Sequence, residues 1–386
     1  MLNAQTGVSD GIRALAREAD SLSATIERDR RLPRALVEGM TRAGVFKLCV
    51  PRSLGGLEAD VASIVRVLEE IAAADGSAGW CAMIGATSGL VSGLLEPEVA
   101  RTIYGAPEAV TGGVFAPKGK AIVGTECYVA SGRWPFASGC QHCTWLMGGC
   151  LVFADGKPQL GTNGVPQARM LLFPADAVRI HDTWRVAGLC GTGSHDIEIQ
   201  DLSVPVSYSV SLTDDSPRAG GPLYRFPVFG LLALGIAAVA LGLARRATEE
   251  LEHLAIAKTP TAARRRLAER SAVQADVARA HAELAAARAF LFDSIGEAED
   301  EAANGEMPIA TRAHLRLAAS HATSAAAGVV DRMYDAGGGT SIYSESALQR
   351  CFRDVHVATQ HLMVSPSTFE LVGRVLLGVE TDATML

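Results

Sequence analysis

Aromatic residues are scarce in this 386-residue chain: Phe, Trp and Tyr make up 5% of it, with four tryptophans in all. Charge is also thin at 20%, below the roughly 25% usual in globular proteins, which excludes a disordered polyelectrolyte. No excess of positive charge is present. The net charge is −7, whereas nucleic-acid binding needs a basic stripe that displaces counterions, so no nucleic-acid partner is expected. The opening stretch MLNAQTGVSDGIRALAREAD lacks the apolar core of a secretory signal and carries acids that transit peptides avoid. A cytoplasmic location is therefore expected. A second CxxC is missing as well. Cys140-Gln-His-Cys143 is the only such pair among eight cysteines, and Cys150 and His142 complete a poor zinc set, so free thiols without a metal are expected. No Gly-rich turn follows a strand and opens a helix, which argues against a Rossmann nucleotide site.

What is present falls into three textures. Residues 10–110 are helical in period: Leu15, Ala16, Ala19 and Leu22 recur at helical spacing, followed by Leu36, Met40 and Val45, then residues 61–74. Residues 111–212 break into short β-forming runs at 121–130, 145–153 and 170–173, with an alternating run around Ile197, Ile199 and Leu202 that Pro205 stops. From residue 226 helices return. Twenty of the sixty residues from Leu231 to Phe290 are alanine, the best helix former. A last helix is expected over residues 348–377, beyond the break at Gly337-Gly338-Gly339. The division expected is 1–110, 111–212 and 213–386: helical domain, β domain, helical bundle.

One stretch, residues 226–244 (FPVFGLLALGIAAVALGLA), is uncharged and long enough to cross a bilayer. It stands alone between Arg225 and Arg245, and its Ala and Gly content suits close helix packing in a protein core. A buried helix, with no membrane partner, is the expectation.

Three segments, in order, carry a resemblance: GRWPFASG at 132–139, GLCGTGSHDIEIQDLSVP at 188–205, and the run GGGTSIYSESALQRCFRDVHVATQHLMVSPSTFELVG at 337–373. With the three textures they resemble the acyl-CoA dehydrogenase fold, an α+β and mainly α architecture. It consists of an N-terminal helical domain, a β-barrel-like middle domain and a C-terminal four-helix bundle. GRWPFASG and GTGSHD most resemble the oxygenase components of two-component flavin-dependent monooxygenases. The resemblance implies hydroxylation of a phenolic, indolic or polyketide-like aromatic through a flavin hydroperoxide. It also implies O2, reduced flavin (FADH2 or FMNH2) from a separate reductase, and a homotetramer built as a dimer of dimers. The true dehydrogenases depart here. Many carry Glu-Gly-Thr about nine residues beyond the Arg of the Arg-Asp pair; counted from Arg353-Asp354 this chain has Gln360-His361-Leu362-Met363, and leucine takes no proton. An FAD-dependent acyl-CoA dehydrogenase with its acid elsewhere (Asp331 or Asp335) is the alternative, and a membrane-anchored helical scaffold is another of a different class.

By the same resemblance His361 and Ser138 are catalytic. His361 would be a base for a substrate hydroxyl: a phenol titrates near ~10 and imidazole near ~6.5, so a neutral His assists at pH 7. Ser138 would face the flavin N5 region, with Trp134 and Phe136 walling the ring and Ala137 in the same turn. Thr192 and Ser194 would meet the flavin ribityl or phosphate, Trp184 would stack, and Arg265 in Arg264-Arg265-Arg266, taken as a helix start, would reach phosphate across a subunit interface. The residue types alone allow plainer readings: a strand-end turn at Ser138, a satisfied bundle histidine at His361, core filling at Trp184, a solvated face at Arg265. His142 is a second pocket candidate, and His195 a structural one.

Overall fold

In the computed structural model the described residues are 9–161, 164–261 and 263–386; residues 1–8, part of the stretch read for targeting, lie outside them. Five helices come first: α1 (Asp10–Asp29), α2 (Arg34–Arg42), α3 (Val61–Ala74), α4 (Gly76–Ser88) and α5 (Pro97–Tyr104). One residue, Asp75, joins α3 to α4. It ends the first helix and caps the second, its carboxylate accepting the Ala78 N–H at 2.9 Å. Helix α4 (GSAGWCAMIGATS) buries every residue but Ile84, so it has no polar face for periodicity to reveal.

The strands follow: β1 (Thr111–Val123), β2 (Cys127–Ala137), β3 (Trp145–Ala154), β4 (Lys157–Pro158), β5 (Ala168–Pro174), β6 (Arg179–His181), β7 (His195–Pro205) and β8 (Ser209–Val210). Among the described residues they form one mixed sheet in the order β6-β7-β2-β1-β3-β5-β8, with β4 paired to β3; β1 and β3 run parallel and the other pairs antiparallel. The run expected as a single strand over 121–130 is two strands, because a turn at Gly124-Thr125-Glu126 folds β1 back on β2. One sheet face closes on its own core, which includes Trp134, Leu146, Phe173 and Ile197. The other packs Met147, Met170 and Leu172 against Ile103 and Tyr104 of α5.

The remaining helices are α6 (Pro222–Arg225), α7 (Val228–Ala257), α8 (Ser271–Asn304), α9 (Ile309–Gly337), α10 (Ala347–Ala358) and α11 (Ser367–Leu376). The uncharged run supplies the first half of α7, which starts after Pro227, with residues 230–244 all buried. Its glycines set the packing distance: a Cβ on Gly242 would lie 2.5 Å from the Glu69 carbonyl oxygen of α3. Lipid is not what covers it. The last expected helix is two helices, α10 and α11, separated by a short 3-10 turn over Leu362–Val364 and by Pro366, which has no N–H to continue a helix. Arg264, Arg265 and Arg266 do not start a helix either; they lie exposed in the connection that precedes α8.

Candidate active site

The turn after β2 is shaped by a bulge. From Trp134 to Ala137 the strand advances three residues while β7 advances two, from Ile197 to His195. Pro135 cannot donate to the ladder, and Phe136 takes φ of 67°, a left-handed conformation rare outside glycine. The extra residue turns Phe136 outward, 68% exposed, and sends Trp134 inward at 0%. Trp134, expected to wall the flavin ring, is instead buried in the sheet core. Its indole lies in a slot made by Gly119, Gly132 and Gly148, where any Cβ would fall within 2.6 Å of the ring, and its Nε1 donates to the Gly149 carbonyl at 2.7 Å. Ala137 is buried, and the Gly139 N–H donates to the Thr192 carbonyl at 2.8 Å, tying the GRWPFASG turn to GTGSHD.

Between these turns runs a chain of buried hydroxyls. Ser138 Oγ lies 2.6 Å from Ser194 Oγ, which lies 2.7 Å from Thr192 Oγ1. The ends fix its direction. A carbonyl only accepts, so Thr192 spends its single proton on the Leu189 oxygen at 2.8 Å. Ser194 must then donate to Thr192, and Ser138 to Ser194. At the other end Trp80 Nε1 donates to Ser138 Oγ at 3.1 Å. Ser138 is left with one lone pair and no proton to give. Thr192 and Ser194, expected to meet a ligand's polar tail, point inward instead because they satisfy each other, at 2% and 3% exposure.

The hub of the chain is the Leu189 backbone. Its carbonyl also accepts the Trp184 indole N–H at 3.1 Å, and its N–H donates to the Asp354 carboxylate at 2.6 Å. Trp184 is fixed on three further sides: Arg30 holds its carbonyl at 2.8 Å, His195 Nδ1 accepts its N–H at 3.2 Å, and its ring meets Phe136 edge-on at 6.1 Å between centroids. Arg353 and Asp354, neighbours on α10, part company. Arg353 pairs with Glu27 at 2.6 Å and donates to the Ala187 carbonyl, while Asp354 holds Leu189. Burial, reinforced by the nearby Asp75 carboxylate, pushes Asp354 up to about 7.

His361 is half-buried and lies beside the Trp80 ring, centroids 5.8 Å apart. Burial, and secondarily the charge of Arg316, push it down to about 4, so the ring is neutral at pH 7. Its Nδ1 accepts the Met363 N–H at 3.2 Å. Sequence reasoning missed Trp80, the residue that touches both Ser138 and His361. The available signal was a lone tryptophan in a segment of small residues, GSAGWCAMIG. Asp331, weighed as an alternative acid, is held by His356 at 2.7 Å. His142 lines a separate cleft of 1220 Å³ with Arg31, Lys47 and Gln141, which none of the other expected site residues reaches.

Comparisons with known proteins place the whole chain in one family. Residues 4–96 match the family profile "Acyl-CoA dehydrogenase, N-terminal domain" and residues 234–366 match "Acyl-CoA dehydrogenase, C-terminal domain". The chain is 33% identical to an indole-3-acetate monooxygenase of Pseudomonas putida, over 96% of this chain and 92% of that one. It is 29% identical to the flavin-dependent monooxygenase oxygenase subunit HsaA of Mycobacterium tuberculosis, over 92% of each. A crystal structure of 3-HSA hydroxylase from Rhodococcus sp. RHA1 superposes with a TM-score of 0.90 at 25% identity, over 97% of this chain and 98% of that one. The chain belongs to the flavin-dependent monooxygenase oxygenase components of the acyl-CoA dehydrogenase family, enzymes that work with reduced flavin and O2.

Proposed function

We propose that this oxygenase hydroxylates a small aromatic compound beside Trp80, with Ser138 on the flavin side and His361 on the substrate side. The observation that carries the reading is the double contact of Trp80, whose N–H rests on Ser138 while its ring rests on His361. Reduced flavin, when bound, supplies the electrons that activate O2. The residues suit that group. A reduced flavin carries an N–H at N5, and Ser138 has a free acceptor lone pair two residues along the turn from Phe136, whose outward ring meets Trp184 edge-on. The protein's own task is to hold that acceptor fixed and to keep water away, since water shortens the life of reactive oxygen species in such sites.

The reading extends to the partners. A separate reductase delivers the flavin, as in two-component relatives such as the FADH(2)-dependent resorcinol hydroxylase, oxygenase component, of Rhizobium sp., which is 27% identical over 97% of this chain. Assembly as a homotetramer, a dimer of dimers, is supported by the exposed small-residue face of α8, with Ala278, Ala282, Ala285 and Ala289, and by exposed Leu376 and Leu377. Arg265, exposed before α8, is proposed to meet flavin phosphate on a neighbouring subunit. A cytoplasmic location belongs to the same reading, supported by eight cysteines standing as free thiols.

The test is a turnover assay with a flavin reductase, NADH, FAD or FMN, O2 and a panel that includes indole-3-acetate and resorcinol, the compounds in the relatives' names. Product hydroxylated in step with NADH consumption is expected, only when reductase is present. Dye reduction by acyl-CoA without reductase would refute the reading.

A further inference from the structure

His361 caps a turn, and the turn is held from below. Met363 gives its N–H to His361 Nδ1 at 3.2 Å, and its carbonyl accepts a guanidinium N–H of Arg316 at 2.8 Å. Arg316 lies on α9 and is 2% exposed. Its other terminal nitrogen donates to the Met385 carbonyl, and its Nε has no partner among the described residues. Among the described residues no carboxylate pairs with it. A buried cation without a counter-charge is a cost to the fold, and folds keep such costs where a site needs them.

The cap decides the chemistry of the ring. In a neutral imidazole the nitrogen that accepts a hydrogen bond carries no proton, so the proton sits on the other. With Nδ1 accepting from Met363, Nε2 carries N–H. A second proton is opposed both by burial and by the Arg316 charge. The free nitrogen of His361 is then a donor with no lone pair to offer.

We propose that Arg316 is a positioning residue for His361: by holding the Met363 carbonyl it fixes the turn in which the Met363 N–H meets Nδ1, and so presents His361 to the substrate as a neutral Nε2–H donor rather than as a base. The matching ligand group is an anionic or strongly polarised oxygen on the aromatic substrate, such as a phenolate. An N–H stabilises that oxygen directly, and the nearby guanidinium adds to the attraction. This inference rests on the reading that His361 faces the substrate.

Two measurements test it separately. The first needs no flavin and no turnover: long-range 1H–15N NMR of full-length protein labelled at histidine nitrogens, with His361 assigned by the spectrum of His361→Gln. The Nε2–H tautomer at pH 7 is expected in the wild type, turning to a mixture of tautomers in Arg316→Gln; Arg316→Lys, which keeps the charge but loses the fork of two terminal nitrogens, serves if the glutamine variant does not fold. An Nδ1–H ring or an imidazolium in the wild type overturns the proposal. The second is hydroxylation by variants of His361 itself. Glutamine can donate but cannot take up a proton, so His361→Gln should stay within about tenfold of wild-type kcat, while His361→Ala falls by about a hundredfold or more, the usual scale of a lost catalytic group. Equal impairment of the two variants overturns the donor role. Full activity of both removes His361 from the substrate, which refutes the underlying reading and the substrate half of the proposal, while the NMR result still decides the part played by Arg316.

Discussion

Replacing Ser194 with alanine removes the middle of the hydroxyl chain, and the structure states what that leaves behind. Ser138 loses the acceptor of its only proton, and Thr192 loses an incoming donor, both at positions 5% or less exposed. An orphaned buried donor costs about 1–3 kcal/mol, whereas removing both partners of one bond is far milder. Ser194→Ala should therefore lower the unfolding free energy of the flavin-free protein by about 1–3 kcal/mol in urea titrations followed by tryptophan fluorescence. Ser138→Ala should be destabilising too, because it orphans the Trp80 N–H. The double variant should cost less than the two summed, with a coupling above about 0.5 kcal/mol. The functional consequence follows from the same geometry. With Ser194 gone, the Ser138 proton can turn outward, and a fixed acceptor becomes a donor. More of the O2 consumed should then appear as free peroxide. Thr192→Val keeps the shape, removes the anchor of the chain, and should shift the peroxide fraction in the same direction. Additive single variants, or a Ser194→Ala enzyme as well coupled as wild type, would refute the relay.

Three further outcomes are expected. Trp134→Ala should destabilise by about 3–5 kcal/mol, as deletion of a fully buried aromatic does, while flavin affinity measured on the folded fraction stays within about threefold; a selective loss of affinity would return Trp134 to the cofactor site. Asp354, raised to about 7 in the fold against ~3.9 in an unfolded chain, holds a proton that unfolding releases between those values. The folded state binds more protons in that window, so Asp354 makes stability fall as pH rises from about 4 to 7. Denaturation midpoints of Asp354→Asn should lack that decline, and an unchanged slope would contradict the assignment. Because His361 is already neutral above about 4, the pH profile of kcat/KM should show no inflection between about 5 and 8 that vanishes in His361→Gln.

Much of the layout could be read from residue patterns because the pattern and the element share one cause. Leu36 with Met40, the span 61–74 and the alternation around Ile197 each mark one buried face, and each became the expected helix or strand. Helix α4 escaped, since an element buried on all sides has no contrast between faces. The hairpin at Gly124 was lost inside a run of β-formers, and the last helix was drawn through Pro366 and the turn capped by His361. Site residues were legible as motifs and opaque as roles. GRWPFASG marked the turn that ends β2, yet its most conspicuous residue, Trp134, fills the sheet core and the exposed ring is Phe136.

The sequence alone determined the mainly helical order around a β segment, the burial of the uncharged run in α7, and the segments that carry the family resemblance. These follow from local period, composition and turn chemistry, which neighbours along the chain dictate. Tertiary structure alone decided which side chains meet. Trp80 reaches Ser138 across 58 residues, Leu189 is held by Asp354 across 165, and Met363 by Arg316 across 47. Hydrogen-bond direction, the tautomer of a histidine and the titration of a buried carboxylate all depend on partners brought close by packing, which no spacing along the chain encodes.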